Sequence, residues 1–154
     1  MSSYVERVLQ PGEQVRHLAT LHWVLYIPGI LLLLVGLGVL YLARSVERGE
    51  GFWLAVSAVL LVLAVVWIFQ AWFKRWITEI AVTDRRVIYK TGFIRRDTNE
   101  MQMDKVESVR VDQSILGRIL GYGDVSVLGT GKGGFTTLKT IAAPLDLRNQ
   151  ITGR

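Results

Sequence analysis

The sequence contains no cysteine and only two histidines among its 154 residues. Without cysteine, disulfide bonds and thiolate chemistry are excluded. Both histidines, His17 and His22, lie in the first 22 residues. Structural and catalytic zinc sites are built mainly from Cys and His ligands, and a Ser-His-Asp relay needs a His within hydrogen-bond distance of its Ser. We therefore expect no metal site and no cofactor, and we interpret the two imidazoles as interfacial anchors.

The remaining polar residues also form no recognisable catalytic group. Four acidic residues recur at every third or fourth position: Asp97, Glu100, Asp104 and Glu107. Their stretch has the composition of a strand, so we interpret them as solvated strand edges. The glycines of 129–134 satisfy G-x-G-x-x-G, but a β-forming segment follows where a dinucleotide fold requires a helix. The sequence predicts a hairpin tip there, and a protein that is not an enzyme.

Charge is missing from two long apolar runs. Residues 23–43 and residues 52–73 contain no Asp, Glu, Lys or Arg. A helix that crosses the hydrocarbon core of a bilayer needs about 20 apolar residues, so each run is long enough to span it. The linking residues 44–51 are charged and contain glycine, as a water-exposed turn would be. We predict a transmembrane helical hairpin over 23–73; the alternative is a pair of core helices in a soluble protein.

Positive charge is concentrated after the second run. The tail from Lys74 onward holds 14 Lys and Arg against 9 Asp and Glu, whereas the preceding residues hold 4 against 4. Lys and Arg flank the cytoplasmic ends of membrane spans. We expect a multi-pass protein of the cell membrane, with both termini cytoplasmic and the 44–51 loop outside. No nucleic-acid recognition motif accompanies the basic tail, and no small-molecule substrate is evident.

The segments around the hairpin differ in their periodicity. Residues 1–22 are predicted to be a cytoplasmic amphipathic entry segment, with Val15, Leu18 and Leu21 on one face of a helix. Residues 76–154 alternate with a period of two and are predicted to form a small β-domain. The expected strands are 76–83, 86–90, 93–103, 106–111, 124–128 and 135–142, with a helical turn at 114–121 and a short helix after Pro144. The predicted fold class is an α+β membrane protein whose small β-barrel or sandwich ends in a short helix.

Several motifs in this tail are specific. The stretches 83–88 (TDRRVI) and 106–123 (VESVRVDQSILGRILGYG), followed by 124–127 (DVSV), resemble the membrane-anchored group of the bacterial pleckstrin-homology (PH)-like domain family. Pro11-Gly12-Glu13 and His22-Trp23 are similar to the entry segment of that family. The resemblance covers nearly the whole chain and implies a PH-like fold at a membrane. It implies little about mechanism, since one fold serves many functions.

Two groups of residues are candidates for binding. The first is basic and could meet the phosphates of anionic lipids: Lys74, Arg75, Arg85, Arg86, Arg95 and Arg96. The alternative is that these cations only set the topology. The second is apolar and could contact the bilayer, another copy or a protein: Ile115, Leu116, Ile119, Leu120 and Tyr122. The alternative, which this pattern favours, is that they plug the end of the barrel.

The functional hypothesis combines these features. We expect a non-enzymatic, membrane-anchored PH-like binding or scaffolding module that acts through protein–protein contact or self-association at the cytoplasmic membrane face. Recognition of anionic phospholipid headgroups is the second hypothesis. An accessory subunit of a transporter fits less well, because neither apolar run carries an ionisable residue for a polar pathway. The expected partners are the lipid bilayer and a protein partner or a second copy of the chain.

Overall fold

The computed structural model describes residues 4–45, 49–92, 97–130 and 135–153. The chain divides into two compact units, of which one comprises Met1–His22 with Arg75–Arg154 and the other comprises Trp23–Lys74. We call the first the β-unit and the second the hairpin. In chain order the elements are α1 (Tyr4–Val8), β1 (Val15–Ala19), α2 (Ile27–Ala43), α3 (Glu50–Ile77), β2 (Glu79–Thr83), β3 (Arg86–Thr91), β4 (Asp97–Gln102), β5 (Val106–Asp112), α4 (Ile115–Leu120), β6 (Tyr122–Gly129), β7 (Phe135–Ala142) and α5 (Pro144–Thr152).

The hairpin consists of two long apolar helical segments. Trp23–Ala43, which begins as a 3-10 turn, has 21 residues with a mean hydropathy of 2.4, and α3 has 28 residues with a mean hydropathy of 2.7. In the most apolar part of each, only 11% of the residues are buried. Both are therefore long and apolar enough to cross a membrane. The second is longer than the sequence pattern indicated, because α3 continues through Lys74 and Arg75 to Ile77.

Small residues line the contact between the two helices of the hairpin. The buried residues of α2 are Gly29, Gly36 and Ala43, and those of α3 are Ser57, Ala64 and Ala71. Each set recurs every seven residues, the period that keeps one face of a helix against a neighbour. Gly36 lies so close to Leu60 and Leu61 that an added Cβ would be 3.0 Å from a Leu61 methyl carbon. Small side chains therefore allow the helix backbones to approach each other.

The β-unit contains two antiparallel sheets. One has the strand order β1-β2-β3-β4 and the other β5-β6-β7. A bridge between Leu21 and Ile141 joins the two sheets at one corner. The core comes from the inward-facing side chains of both sheets and from α5: Ile80, Val82, Val125, Val127, Leu138, Ile141, Leu147 and Ile151. This architecture confirms the α+β part of the predicted fold class, and α5 forms where Pro144 predicted it.

The predicted helix at residues 14–21 is wrong, because this segment contains strand β1. It pairs with β2 through Leu18 opposite Ala81 and Ala19 opposite Ile80. The register shifts between Val15 and His17, and beyond that point the inward side chains follow a period of two: Ala19 and Leu21 are buried, whereas Leu18 is 59% exposed. The spacing of Val15, Leu18 and Leu21 matches the apolar spacing of a helix. The segment nevertheless forms a strand, because its backbone pairs with β2.

Two other strand boundaries differ from the sequence prediction. Residues 76–78 belong to the end of α3 or follow it, so the first tail strand starts at Glu79 and not at Trp76. The strand predicted over 93–103 is observed as β4, which ends at Gln102, and residues 93–96 lie outside the described part of the chain.

The helix α1 covers the second face of β2 and β3, where Val5 packs with Ala81 and Ile88. Consequently β2 is buried on both faces, with the residues from Ile80 to Thr83 inaccessible.

Candidate functional site

A buried carboxylate connects the N-terminal segment to the β2–β3 turn. The side chain of Glu13 is 0% exposed. Its Oε1 accepts hydrogen bonds from Thr83 Oγ1 at 2.7 Å and from Arg86 Nε at 3.0 Å. Its Oε2 accepts from Arg86 Nη2 at 2.9 Å and from the backbone N–H of Gln10 at 2.8 Å. The pair Arg86–Glu13 is thus bidentate, the geometry that gives charged hydrogen bonds their strength.

The surroundings of Glu13 hold it in the ionised form. Burial alone would raise its pKa, but the hydrogen bonds from Gln10, Arg86 and Thr83 and the charge of Arg86 together lower it from 4.5 to about 2. In return, the hydrogen bond to Glu13 raises the pKa of Arg86. Arg86 also donates to Glu100 Oε2 at 2.7 Å and to the carbonyl of Val8 at 2.8 Å. This cluster therefore stabilises the fold, and its guanidinium already has carboxylate partners.

The structure separates the basic residues that the sequence grouped together. Lys74 and Arg75 lie at the end of α3, before β2, whereas Arg85 and Arg86 follow β2. A five-residue strand is about 13 Å long between its first and last Cα atoms, so within the β-unit Arg75 and the pair Arg85–Arg86 stand at opposite ends of β2. Arg85 is half exposed beside Asp84. Arg95 and Arg96 lie outside the described residues.

The predicted acidic positions are exposed, as strand edges are. Asp97, Glu100, Asp104 and Glu107 all have solvent-accessible side chains, and Glu100 pairs with Arg86. Among the described residues, no group of three or more His, Asp or Glu is arranged to hold a metal ion. These four residues therefore add negative charge to the surface of the β-unit.

The short helix α4 carries the most unusual surface of the β-unit. Ser114 caps it by accepting a hydrogen bond from the N–H of Gly117 at 3.0 Å, and Gly121 ends it in the left-handed conformation with φ 77°. Gly117 packs against β6 so closely that an added Cβ would lie 2.6 Å from the carbonyl oxygen of Tyr122. A glycine, and not a leucine, is therefore the residue through which α4 rests on the sheet.

The apolar side chains of α4 point away from the core. The exposed fractions are 81% for Ile115, 63% for Leu116, 74% for Ile119 and 37% for Leu120. The interpretation of these residues as a plug of the barrel is therefore wrong, since the core is filled by the sheets and by α5. We call these four side chains the α4 surface. Large apolar side chains grouped on a surface mark places where a protein meets a partner or a membrane.

Tyr122 is not part of the α4 surface. It is half-buried, and its ring stacks on the ring of His22 with the centroids 5.3 Å apart. Burial lowers the pKa of His22, the backbone carbonyl of Leu120 opposes this by accepting a hydrogen bond, and the charge of Arg75 lowers the pKa further. The backbone N–H of His22 donates to the carbonyl of Thr140 at 2.8 Å. His22, Arg75 and the end of α4 thus lie together at one end of the β-unit.

Comparison with known proteins identifies the family. A family model described as the bacterial PH domain matches residues 18–153. The chain belongs to the bacterial PH domain family. No curated protein and no solved structure matches it. The matched region of this PH domain begins inside β1 and includes both apolar helices, so the hairpin lies within the family's own extent and is no separate addition at one end.

Proposed function

We propose that this protein is a membrane-anchored PH-like module that binds and organises a protein partner, or a second copy of itself, at the cytoplasmic face of the membrane. The module is non-enzymatic. One observation carries the proposal: the hairpin is inserted between β1 and β2, which are neighbouring antiparallel strands of one sheet. The β-unit is thus joined to two candidate membrane spans through two adjacent strands, at the same end of the strand pair.

This connection has a mechanical consequence. Ala19 of β1 pairs with Ile80 of β2. The chain therefore leaves the β-unit shortly after Ala19 and returns to it shortly before Ile80, at neighbouring positions of one sheet. A domain on one flexible tether can turn freely, whereas two short connections from adjacent strands restrict its rotation. A binding module held in this way turns less freely, which suits a scaffold at a surface.

The helices themselves support insertion into a bilayer. Their large apolar side chains are exposed along the described length of the hairpin, for example Leu34 at 59%, Val62 at 62% and Phe69 at 58%. The core helices of a soluble domain would bury such residues. The cations of the tail follow the second span, and by the positive-inside rule they favour a cytoplasmic β-unit.

Headgroup recognition is the second hypothesis, and fewer residues support it than the sequence indicated. Of the four described candidates, Arg86 has carboxylate partners, and Arg85 lies at the end of β2 away from the hairpin connection. Lys74 and Arg75 are next to the span, at the depth where lipid phosphates would be within reach. Two cations beside a membrane attract any anionic lipid and give little discrimination between headgroups.

The proposal can be tested by crosslinking the full-length chain in membranes. The photo-reactive residue is placed at exposed positions of the β-unit, such as Gln102 on β4 and Glu107 on β5. Purified protein in liposomes reports on self-association, and native membranes report on another protein. We expect a discrete adduct in at least one of these two settings. If neither setting gives an adduct from any position on the β-unit, the scaffolding proposal is rejected.

Topology needs a separate measurement. A reporter domain fused at Gly49 should be detected outside the cell, and one fused after the last residue should be detected in the cytoplasm. Added Lys residues at Ser45 and Gly49 should weaken this preference, because cations favour the cytoplasmic side. The reverse assignment would place the β-unit outside and contradict the proposed location.

A further inference from the structure

The α4 surface has the geometry of an amphipathic element. At 100° per residue, Ile115, Leu116, Ile119 and Leu120 fall within an arc of about 140°. Gly117, which rests on β6, lies outside this arc, and exposed Arg118 lies on its flank. One side of α4 is thus fixed to the sheet while the apolar side faces outward. An apolar face with a cation on its flank is the pattern of helices that lie in a membrane interface.

The position of α4 in the β-unit indicates what covers this surface. Tyr122, two residues after the end of α4, stacks on His22. His22 is followed directly by Trp23, the first residue of the first candidate span. The C-terminal end of α4 therefore lies beside His22, the last residue of the β-unit before the hairpin. Because Trp23 is bonded to His22, a membrane that holds the first span would begin within a short chain distance of this end of the β-unit.

We propose that α4 is a membrane-contacting helix, whose four apolar side chains enter the bilayer interface beside the hairpin while Arg118 reaches the lipid phosphates. This inference rests on the proposed membrane insertion of the hairpin. The occupant of the α4 surface is lipid rather than a protein, because the end of α4 lies beside the residue that leads into the first candidate span. The basic flank also agrees with lipid, because a long cationic side chain can extend from an apolar face to the headgroup layer.

A bilayer contact at α4 gives the β-unit a third point of attachment to the membrane, in addition to its two chain connections to the hairpin. The two chain connections, at His22 and Arg75, still allow the β-unit to tilt about the axis that joins them. A bilayer contact on one side of that axis prevents this tilting. The β-unit would then keep one orientation above the membrane, with the opposite end, where β2 turns into β3, directed to the cytoplasm and free for the partner of the proposed function.

The test uses the natural absence of cysteine, since each variant then carries a single thiol. An environment-sensitive fluorophore is attached at Ile119→Cys on α4, at Leu34→Cys on α2, or at Gln102→Cys at the far end of the sheet. Each full-length variant is reconstituted in liposomes that contain anionic phospholipid and a spin-labelled lipid quencher. We expect strong quenching at Leu34 and Ile119, and several-fold weaker quenching at Gln102.

The three labels separate the inference from its premise. If Leu34 is quenched and Ile119 behaves like Gln102, the hairpin is inserted and the α4 proposal is rejected. If Leu34 also escapes quenching, the membrane insertion itself is rejected, and the α4 proposal with it. If the unlabelled Ile119→Cys variant forms disulfide-linked dimers in the same liposomes under air oxidation, while the labelled variant escapes quenching, a second copy occupies the surface and lipid does not.

A charge variant tests the mechanism of the contact. Ile115→Glu with Leu116→Glu, in the chain labelled at Ile119, should weaken quenching several-fold, because carboxylates resist entry into the interface. Both side chains are exposed, so the β-unit should stay folded and resist proteolysis like the parent. Leu128→Glu, at an exposed apolar position on β6, is the matched control and should leave quenching unchanged. Unchanged quenching in the α4 variant would overturn the proposed contact.

Discussion

Glu13 shows how one buried side chain determines the position of a whole segment. The residues before the hairpin are joined to β2 and β3 through its contacts with Arg86 and Thr83. Gln14 and Asp84 reinforce the same junction, since the backbone N–H of Gln14 donates to Asp84 Oδ1 at 3.0 Å and its carbonyl accepts from the N–H of Asp84 at 3.1 Å. The N-terminal segment is therefore part of the fold and not a separate membrane-surface helix.

We expect Glu13→Gln to destabilise the β-unit strongly. The variant places an amide against the Arg86 guanidinium and removes the buried negative charge. Breaking a buried ion pair by removing one partner costs about 3 kcal/mol or more; the lower end applies because Arg86 keeps Glu100. Pulse proteolysis in urea of the full chain in detergent measures the loss. Glu107→Gln on exposed β5 is the control and should match the parent; equal midpoints for both variants would contradict this role of Glu13.

The lowered pKa of Glu13 predicts an acid-sensitive fold. Because the pKa is about 2 in the folded chain and 4.5 ordinarily, the stabilising contribution of Glu13 is fully present above pH 4.5 and is lost as the pH falls toward 2. Pulse proteolysis with pepsin, which is active in acid, can follow this range. Other carboxylates also titrate there, so the informative quantity is the difference between parent and Glu13→Gln. That difference should shrink as the pH falls, and a constant difference would refute the assignment.

At the residue scale, sequence reasoning did not identify this buried cluster. Glu13, Thr83 and Arg86 all lie in the motifs that resemble the PH-like family, yet Arg86 appeared as a candidate for lipid phosphate. Glu13 and Arg86 are 73 positions apart in the chain, with the hairpin between them. A composition or periodicity argument carries no information on such a contact, because it depends on how the strands pair.

At the scale of single elements, the hairpin is held by close approach of small residues. We expect Gly36→Leu to separate its two helices, since the new side chain would collide with Leu60 and Leu61. Overpacking of this kind costs about 1–3 kcal/mol. SDS-induced unfolding in mixed micelles measures the change. Gly38→Leu is a matched control in the same helix, because an added Cβ there has no described atom within 4 Å; if both variants unfold alike, the proposed packing is incorrect.

The elements differ in how well periodicity predicts them. The hairpin helices and most tail strands were predictable, because an uncharged run or a period of two reflects burial directly. β1 was not, since its apolar spacing imitates a helix and its structure depends on pairing with β2. The helix α4 was predicted correctly, but its apolar side was assigned to the interior. The packing residue is Gly117, and a glycine has no hydrophobic signal by which a sequence pattern could identify the buried side.

At the scale of the whole molecule, the order of the elements makes the two units depend on each other. The hairpin interrupts the β1–β2 pair, so the folded β-unit requires residues from both sides of the spans. The tail alone lacks β1, the Glu13 carboxylate and Val5, which covers Ala81 and Ile88. A sequence-based division into a 1–22 entry segment and a 76–154 domain therefore cuts through one sheet.

This arrangement predicts how fragments of the chain behave. A fragment of residues 76–154 should fail to fold, because β2 loses its pairing partner and its buried outer face becomes exposed to water. Residues 1–22 joined to residues 75–154 by a short flexible linker should fold, since hairpin connections of about 2–5 residues are sufficient between adjacent antiparallel strands. Circular dichroism and urea unfolding compare the two fragments, and only the joined one should unfold cooperatively.

The joined fragment that carries Glu13→Gln is the control. Its stability should fall as that of the full chain does, which would show that its N-terminal segment occupies the native position. If the 76–154 fragment alone unfolds at the same urea concentration as the joined one, then β1 contributes nothing to the β-unit, and the two-connection argument for its fixed position at the membrane fails with it.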